Sequence, residues 1–203
     1  MRTIAYRHPA LVGLAAVALI TAGCSSGKNG SAPVPPQVGA RGISTSKTPA
    51  VQPTAVKLIG EGDVEVTLTG PIAAKYSSAT ADQRAALGKP LTGDRNAGTR
   101  QNGVVFQQFQ RGVITAKNDE AGTPAYIVLG KIRDAWNVPR DPNGVPAISG
   151  ENGSAGPLGF PTSDDNAVGD LLVSNFEHGS IECNTKTGQV EVTVNGKSVP
   201  SGL

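Results

Sequence analysis

A seven-residue string in the first third of the chain returns near its end. Val64-Glu65-Val66-Thr67-Leu68-Thr69-Gly70 recurs as Val190-Glu191-Val192-Thr193-Val194-Asn195-Gly196, with a looser copy at Tyr126-Ile127-Val128-Leu129-Gly130. Two of the glycines are followed by the same pattern, Gly70-x-Ile72-x-x-x-Tyr76 and Gly130-x-Ile132-x-x-x-Trp136. A second pair of strings sits between them. Leu87-Gly88-Lys89-Pro90 precedes Phe109-x-x-Gly112-x-Ile114, and Leu158-Gly159-Phe160-Pro161 precedes Phe176-x-x-Gly179-x-Ile181. The order is the same both times. Such a chain builds one supersecondary unit twice, and each unit buries its apolar face against its neighbour.

The pattern inside the units is mainly that of strands. Residues 63–69 alternate apolar and polar side chains, as a half-buried strand does. Val104–Phe109 and Val113–Ala116, joined through Gln110-Arg111-Gly112, predict a hairpin. Leu171–Phe176 and Ser180–Cys183, joined through Glu177-His178-Gly179, predict a second of the same form. Tyr126–Leu129 and Val190–Val194 are further strands. Helices are expected to be short. Thr80-Ala81-Asp82-Gln83 fits a capping box before Arg84–Leu87, and Gly88 is placed to stop that helix. Pro71–Tyr76 and Lys131–Trp136 have room for a turn or two each. With 26 glycines and 15 prolines the chain must turn often. The expected class is mostly β with short helices, arranged as two tandem units, with an α+β layering as the alternative.

The N-terminus sets the expected compartment. Arg2, Arg7 and His8 precede a 13-residue apolar run, Ala10–Ala22. A membrane-spanning helix needs ~20 apolar residues and a signal-peptide core ~7–15, so the run has signal-peptide length. Thr21-Ala22-Gly23-Cys24-Ser25-Ser26 follows, and it resembles the bacterial lipobox. In that motif small residues let the backbone enter a peptidase, and the cysteine thiol takes up a diacylglycerol. The resemblance implies cleavage before Cys24, acylation of Cys24 with chains such as palmitate, and a lipoprotein held at the outer face of the cell membrane. Residues 1–23 are then a signal peptide. Residues 24–55 lack acids, aromatics and apolar periodicity, and so are expected to form a disordered Pro/Ser/Gly tether. Residues 56–203 form the domain.

The net charge of +2 hides a division. All 16 acidic residues lie in 56–203, which carries 13 Lys and Arg and is therefore mildly acidic. That distribution excludes a basic footprint for nucleic acid.

The internal strings resemble the LGFP repeat of envelope proteins from mycolate-containing actinobacteria. In that family Leu-Gly-x-Pro is followed by Phe-x-x-Gly-x-Ile, then by Gly-x-x-x-Val-x-Gly-x-Ile-x-x-x-Trp. The matching residues are Leu87, Gly88, Pro90, Phe109, Gly112, Gly130 and Trp136, then Leu158, Gly159, Phe160, Pro161, Phe176, Gly179 and Gly196. Where the family often has aromatics after Gly-x-Ile, this chain has Thr115-Ala116 and Glu182-Cys183. The resemblance implies a protein that contacts cell-wall polysaccharide, or one that assists an envelope enzyme such as a mycolyltransferase.

Catalytic supplies are thin. Beyond the leader, His178 is the one histidine. Ser154, Asp164 or Asp170, and His178 mimic the order of a hydrolase triad. However, Asn152-Gly153-Ser154-Ala155-Gly156 lacks the first glycine of a nucleophile elbow. His178 reads better as an exposed turn residue and Cys183 as a small strand hydrophobe. Asp164, Asp165, Asn166 and Asp170, or Asp141 and Asn143, could face a calcium ion. None has the spacing of a known calcium loop. The scarce aromatics Tyr76, Phe109, Trp136, Phe160 and Phe176 read as core, with a sugar contact for Trp136 or Tyr76 as the alternative. A non-catalytic chain without cofactor or bound metal is expected.

Overall fold

The structure is a computed structural model and describes residues 55–203. The expected signal peptide, Cys24 and residues 24–54 of the expected tether lie outside the described residues. What is described is mostly β, with three sheets and three short α-helices.

The strands β1 (Ala55–Ile59) and β2 (Glu65–Thr69) form an antiparallel hairpin, with Leu58 opposite Val66. Helix α1 (Gly70–Ser78) starts directly from β2, with Pro71 in its first turn, where a missing N–H costs nothing. Helix α2 (Ala81–Leu87) begins on the expected capping box. The Thr80 hydroxyl accepts from Gln83 N, and the Gln83 side chain accepts from Thr80 N. A four-stranded sheet follows: β3 (Ala97–Thr99), β4 (Val105–Phe109), β5 (Gly112–Ala116) and β6 (Ala125–Leu129), in sequential antiparallel order. Helix α3 (Gly130–Trp136) starts from β6 as α1 starts from β2. After a long loop comes a five-stranded antiparallel sheet. Its strands are β7 (Asn166–Val168), β8 (Leu171–Phe176), β9 (Gly179–Asn184), β10 (Val190–Val194) and β11 (Lys197–Val199).

The two hairpins expected from the repeated strings are β4–β5 and β8–β9. Their tips coincide: Phe109 faces Gly112, and Phe176 faces Gly179. The short edge strands β1, β3, β7 and β11 were not expected. Three of them are only three residues long and carry no usable alternation.

The four-stranded sheet is the middle layer. Phe109, Ile114, Ala116 and Ile127 join Leu68, Ile72 and Leu87 in one apolar cluster. Val113 and Val128, on the opposite face, join Ile132, Trp136, Leu158, Phe176, Ile181 and Val192 in another. All five residues of β5 are therefore buried, and its sequence is nearly continuous apolar rather than alternating. Each unit packs its helix onto the next hairpin. Tyr76 of α1 stacks on Phe109 with ring centroids 5.8 Å apart, and Trp136 of α3 meets Phe176 at 5.7 Å.

The third copy of the opening string ends differently. The aligned glycines Gly70 and Gly130 start helices, whereas Asn195 and Gly196 form a tight turn into β11. The register also slips by one. Gly130 N donates to Arg111 O, and its counterpart is Asn195 N donating to His178 O. Asn195 has φ 49° and Gly130 φ 45°, so the asparagine, not Gly196, takes the place of Gly130. Asparagine tolerates that left-handed conformation better than most residues. The resulting turn closes the second unit with a β-strand where the first has a helix.

Gly179 is where the hairpin passes closest to its neighbour. A Cβ there would lie 1.8 Å from Thr193 O and 3.1 Å from Leu158 Cδ2. Gly179→Ala is expected to cost at least ~2 kcal/mol, because backbone must move. Gly169→Ala, at φ 61° with open space around it, is expected to cost only about 1 kcal/mol. Urea unfolding of the two variants checks the order; equal losses would contradict the packing described.

Candidate functional site

The leucine and proline of each Leu-Gly-x-Pro string lie inside the fold. Leu87 and Leu158 are both buried, and Pro90 and Pro161 each bridge to the hairpin phenylalanine, Phe109 or Phe176. Gly88 and Gly159 have φ of 78° and 74°. This bend lets the next N–H reach back to a side chain on the hairpin: Lys89 N donates to Gln110 Oε1 (3.1 Å) and Phe160 N to Glu177 Oε2 (2.9 Å). A Cβ on either glycine would meet those same oxygens at 2.8 and 2.7 Å. Trp136 is buried, and its indole N–H donates to Gly159 O at 3.0 Å. Phe109, Phe160 and Phe176 are buried as well, which makes them core residues as read from the sequence.

The one difference between the strings has a structural reason. Phe160 packs edge-on against Tyr126 of β6, ring centroids 6.1 Å apart, and so covers the first unit. Lys117 of the first unit lies over the Phe160 ring and pairs with Glu177 at 2.5 Å. That ammonium, with the Phe160 N–H, holds the Glu177 carboxyl below its ordinary pKa. Lys89, at the equivalent position, reaches Asp63 in solvent instead.

The adjacent acids Asp164 and Asp165 seal a strand edge rather than forming a cation site. Strand β6 pairs only with β5, which leaves alternate N–H groups free. Asp164 Oδ1 accepts from Ile127 N (2.8 Å) and Asp165 Oδ2 from Leu129 N (2.7 Å). Asp164 also pairs with Lys75 of α1. Burial pushes the Asp165 carboxyl up to about 7, although the Leu129 N–H opposes the shift. Its Oδ1 is buried without a hydrogen bond, as is Ser174 Oγ.

The remaining polar groups converge around the long loop between α3 and Leu158. From Tyr76 to Leu87 the first unit needs one short helix; from Trp136 to Leu158 the second uses about twice the chain. Arg140 holds this loop. It is 2% exposed, and its guanidinium donates to four carbonyls. Nη1 reaches Gly144 O (2.9 Å) and Pro200 O (2.8 Å); Nη2 reaches Ala135 O (3.2 Å) and Ser201 O (2.7 Å). One cation thus caps the C-terminus of α3, closes its own turn and pins the residues after β11. Burial pulls its pKa down from the ordinary arginine value. Arg140 and Glu151 also exchange backbone hydrogen bonds, at 2.9 and 3.0 Å. A cleft of about 520 Å³ opens between this loop and the β8–β9 and β10–β11 turns, where His178 and Asn195 lie.

The triad-like order does not assemble. The Ser154 hydroxyl accepts from Asn102 Nδ2, Asp164 is held as above, and Asp170 pairs with Lys186. None of the three is bonded to His178, which lies exposed in the β8–β9 turn. Cys183 is a free thiol, half-buried against the second apolar cluster. Asp141 Oδ1 accepts from Asn143 N and Val145 N, both at 2.9 Å, in a turn of its own. Among the described residues no three His, Cys, Asp or Glu side chains gather as metal ligands, and no helix is long and apolar enough to cross a membrane.

Sequence reasoning missed Arg140, the strand-edge role of Asp164 and Asp165, and the Gln110/Glu177 bond. Arginine in a Pro/Gly-rich loop looks like a solvated charge, and no periodicity marks it. The Gln110/Glu177 position did carry a signal, because both residues directly follow the hairpin phenylalanine.

A family model described as LGFP repeat matches residues 87–144, from the first Leu-Gly string through β6 and α3 into the long loop. That region, 58 of the 203 residues, is similar to an LGFP repeat, and the likeness points to a cell-surface-associated protein. No curated protein matches the chain.

Arg140→Met is expected to destabilise by at least ~3 kcal/mol, since it leaves buried carbonyls without a donor. Loss of the cleft should accompany it, and a Tm within two degrees of wild type would contradict the role given to Arg140. Asp165 predicts a pH effect. Its folded pKa lies above the unfolded value of 3.8, so its contribution is complete below pH ~4 and fades as pH rises through 7. Wild type should lose up to about 3 kcal/mol between pH 5 and 8 from this group. Asp165→Asn, which keeps an acceptor for Leu129 N, should flatten that slope in urea titrations; parallel slopes would refute it.

Proposed function

We propose that this is a non-catalytic, lipid-anchored protein of the cell envelope, tethered through acylated Cys24 and contacting cell-wall polysaccharide through its repeat domain. The match to the LGFP repeat over residues 87–144 carries the reading. A second Leu-Gly bend at Leu158-Gly159 and a second hairpin with the same tip extend it to residue 199. The leader pattern before Cys24 supports export and acylation. A diacylglyceryl group with a further acyl chain would hold firmly, because each buried methylene contributes ~0.8 kcal/mol and one chain alone binds only marginally.

A second reading is an accessory protein for an envelope enzyme. The observation that favours it is apolar surface beside the cleft: Ile148 is fully exposed and Val145 is 44% exposed. Such residues at a loop tip suit a protein partner.

Cys24→Ser should move the protein from the membrane to the soluble fraction, with mass spectrometry of the wild-type N-terminus showing an acylated cysteine. Firm sedimentation of the serine variant would refute the anchor. On purified insoluble arabinogalactan, retention without added protein supports the polysaccharide reading. Retention only when an envelope enzyme is present supports the second.

A further inference from the structure

The repeat motifs are consumed by packing, so a ligand has to be met elsewhere. The cleft beside the long loop is a place where several polar groups remain unengaged. Its volume, about 520 Å³, falls in the range of small-molecule sites. Asp141, Ser149, Glu151, His178 and Asn195 line it. The side chains of Ser149, Glu151, His178 and Asn195 make no hydrogen bond to other described residues, and Asp141 commits only one carboxylate oxygen, Oδ1. The apolar parts of the wall are proline and alanine faces, Pro142 and Pro157 among them.

The first unit shows what these positions do when structure alone is served. Arg111 stands where His178 stands in the second unit, one residue before the hairpin glycine. Its guanidinium donates to Ala85 O and Ala86 O at the C-terminus of α2. His178 has no such duty. The loop that forms the opposite wall is absent from the first unit. In the second it is held rigidly. A Cβ on Gly150 would lie 2.3 Å from the Arg140 backbone, and one on Gly144 2.8 Å from Val194. An insertion that the first unit does without, yet fixed in one shape in the second, is how binding loops are built on scaffolds.

The chemistry of the lining selects the ligand. Carboxylate, imidazole, amide and hydroxyl groups face the cleft, so acceptors dominate. The lone cation of the lining, Arg140, is turned inward onto its carbonyls and offers nothing to an anion. Two carboxylates repel phosphate and uronate groups. A ligand with many hydroxyl donors and apolar ring edges fits both parts of the wall.

We propose that this cleft is a binding site for a neutral saccharide, a run of two or three sugar rings held by Glu151, His178, Asn195 and Asp141 against the proline faces. The proposal rests on the polysaccharide reading above and deepens it, placing the contact in the second unit only.

The test uses the full chain in detergent micelles, titrated calorimetrically with neutral di- to tetrasaccharides of arabinose and galactose, and in parallel with oligogalacturonides. Neutral oligosaccharides should bind, and the uronides at least tenfold more weakly. Glu151→Ala and His178→Ala change exposed side chains and should each weaken binding about tenfold at an unchanged Tm. Ser149→Trp, at the exposed rim, should abolish it by filling the cleft. Wild-type affinity in all three variants would overturn the cleft while leaving the polysaccharide reading intact. Retention on insoluble polysaccharide without any oligosaccharide binding would do the same, as would preference for the uronides or for simple amines. If wild type binds neither oligosaccharide nor insoluble polysaccharide, both proposals fall.

Discussion

The aromatic residue in the last turn of α1 and of α3 must land on the phenylalanine at the tip of the next hairpin. The rest of the domain follows from that contact. Tyr76 on Phe109 and Trp136 on Phe176 fix where each helix lies, and hence where the strand feeding it runs. The chain must then bend sharply to lay Leu87 or Leu158 beneath the same hairpin. The hairpin tip must also be glycine, because backbone and leucine methyls occupy the space a side chain would need. The three motif positions are thus one packing problem. None can change alone without loosening the others, and the shared strings of the two units are explained by packing before any ligand is considered.

Much of this was legible in the sequence because it was said twice. The hairpins β4–β5 and β8–β9, the strands β6 and β10, and the capped helix α2 lie close to where alternation, turn residues and the capping box place them. Repetition supplied the order that single strings could not. The misses share a physical cause. Strands β3, β7 and β11 are too short for a period to show, and pairing with a neighbour rather than propensity holds them. The matched third glycine misled in a different way. Alignment equates Gly196 with Gly130, yet hydrogen bonding equates Asn195 with it, since either residue can take the left-handed bend and only register tells them apart.

The buried polar groups were hidden for a related reason. Arg140, Asp164 and Asp165 look like solvated loop charges, because nothing local distinguishes a charge that faces water from one that completes a strand edge or a helix end. Their partners lie far away in sequence: Pro200 and Ser201 for Arg140, Ile127 and Leu129 for the two acids. The requirement they meet is general. A strand edge and a helix terminus leave backbone donors or acceptors without partners, and burying them unmatched is costly. Here side chains supply what neither a further strand nor a further turn of helix does, and the acids tie the second unit to the first in doing so.

The contrast between the units separates framework from addition. Where they agree, side chains are buried and paired. Where they differ, the first unit uses its residues to finish its own end: Lys89 reaches solvent, and Arg111 caps α2. The second unit differs by adding a loop, freeing a histidine and turning its cation inward. A domain of two copies can divide labour in this way, since one copy suffices to present a site while the other supplies the sheet that is buried on both faces. The motif that identifies the repeat is therefore the framework, and specificity has room to reside in the loop that the first unit does without.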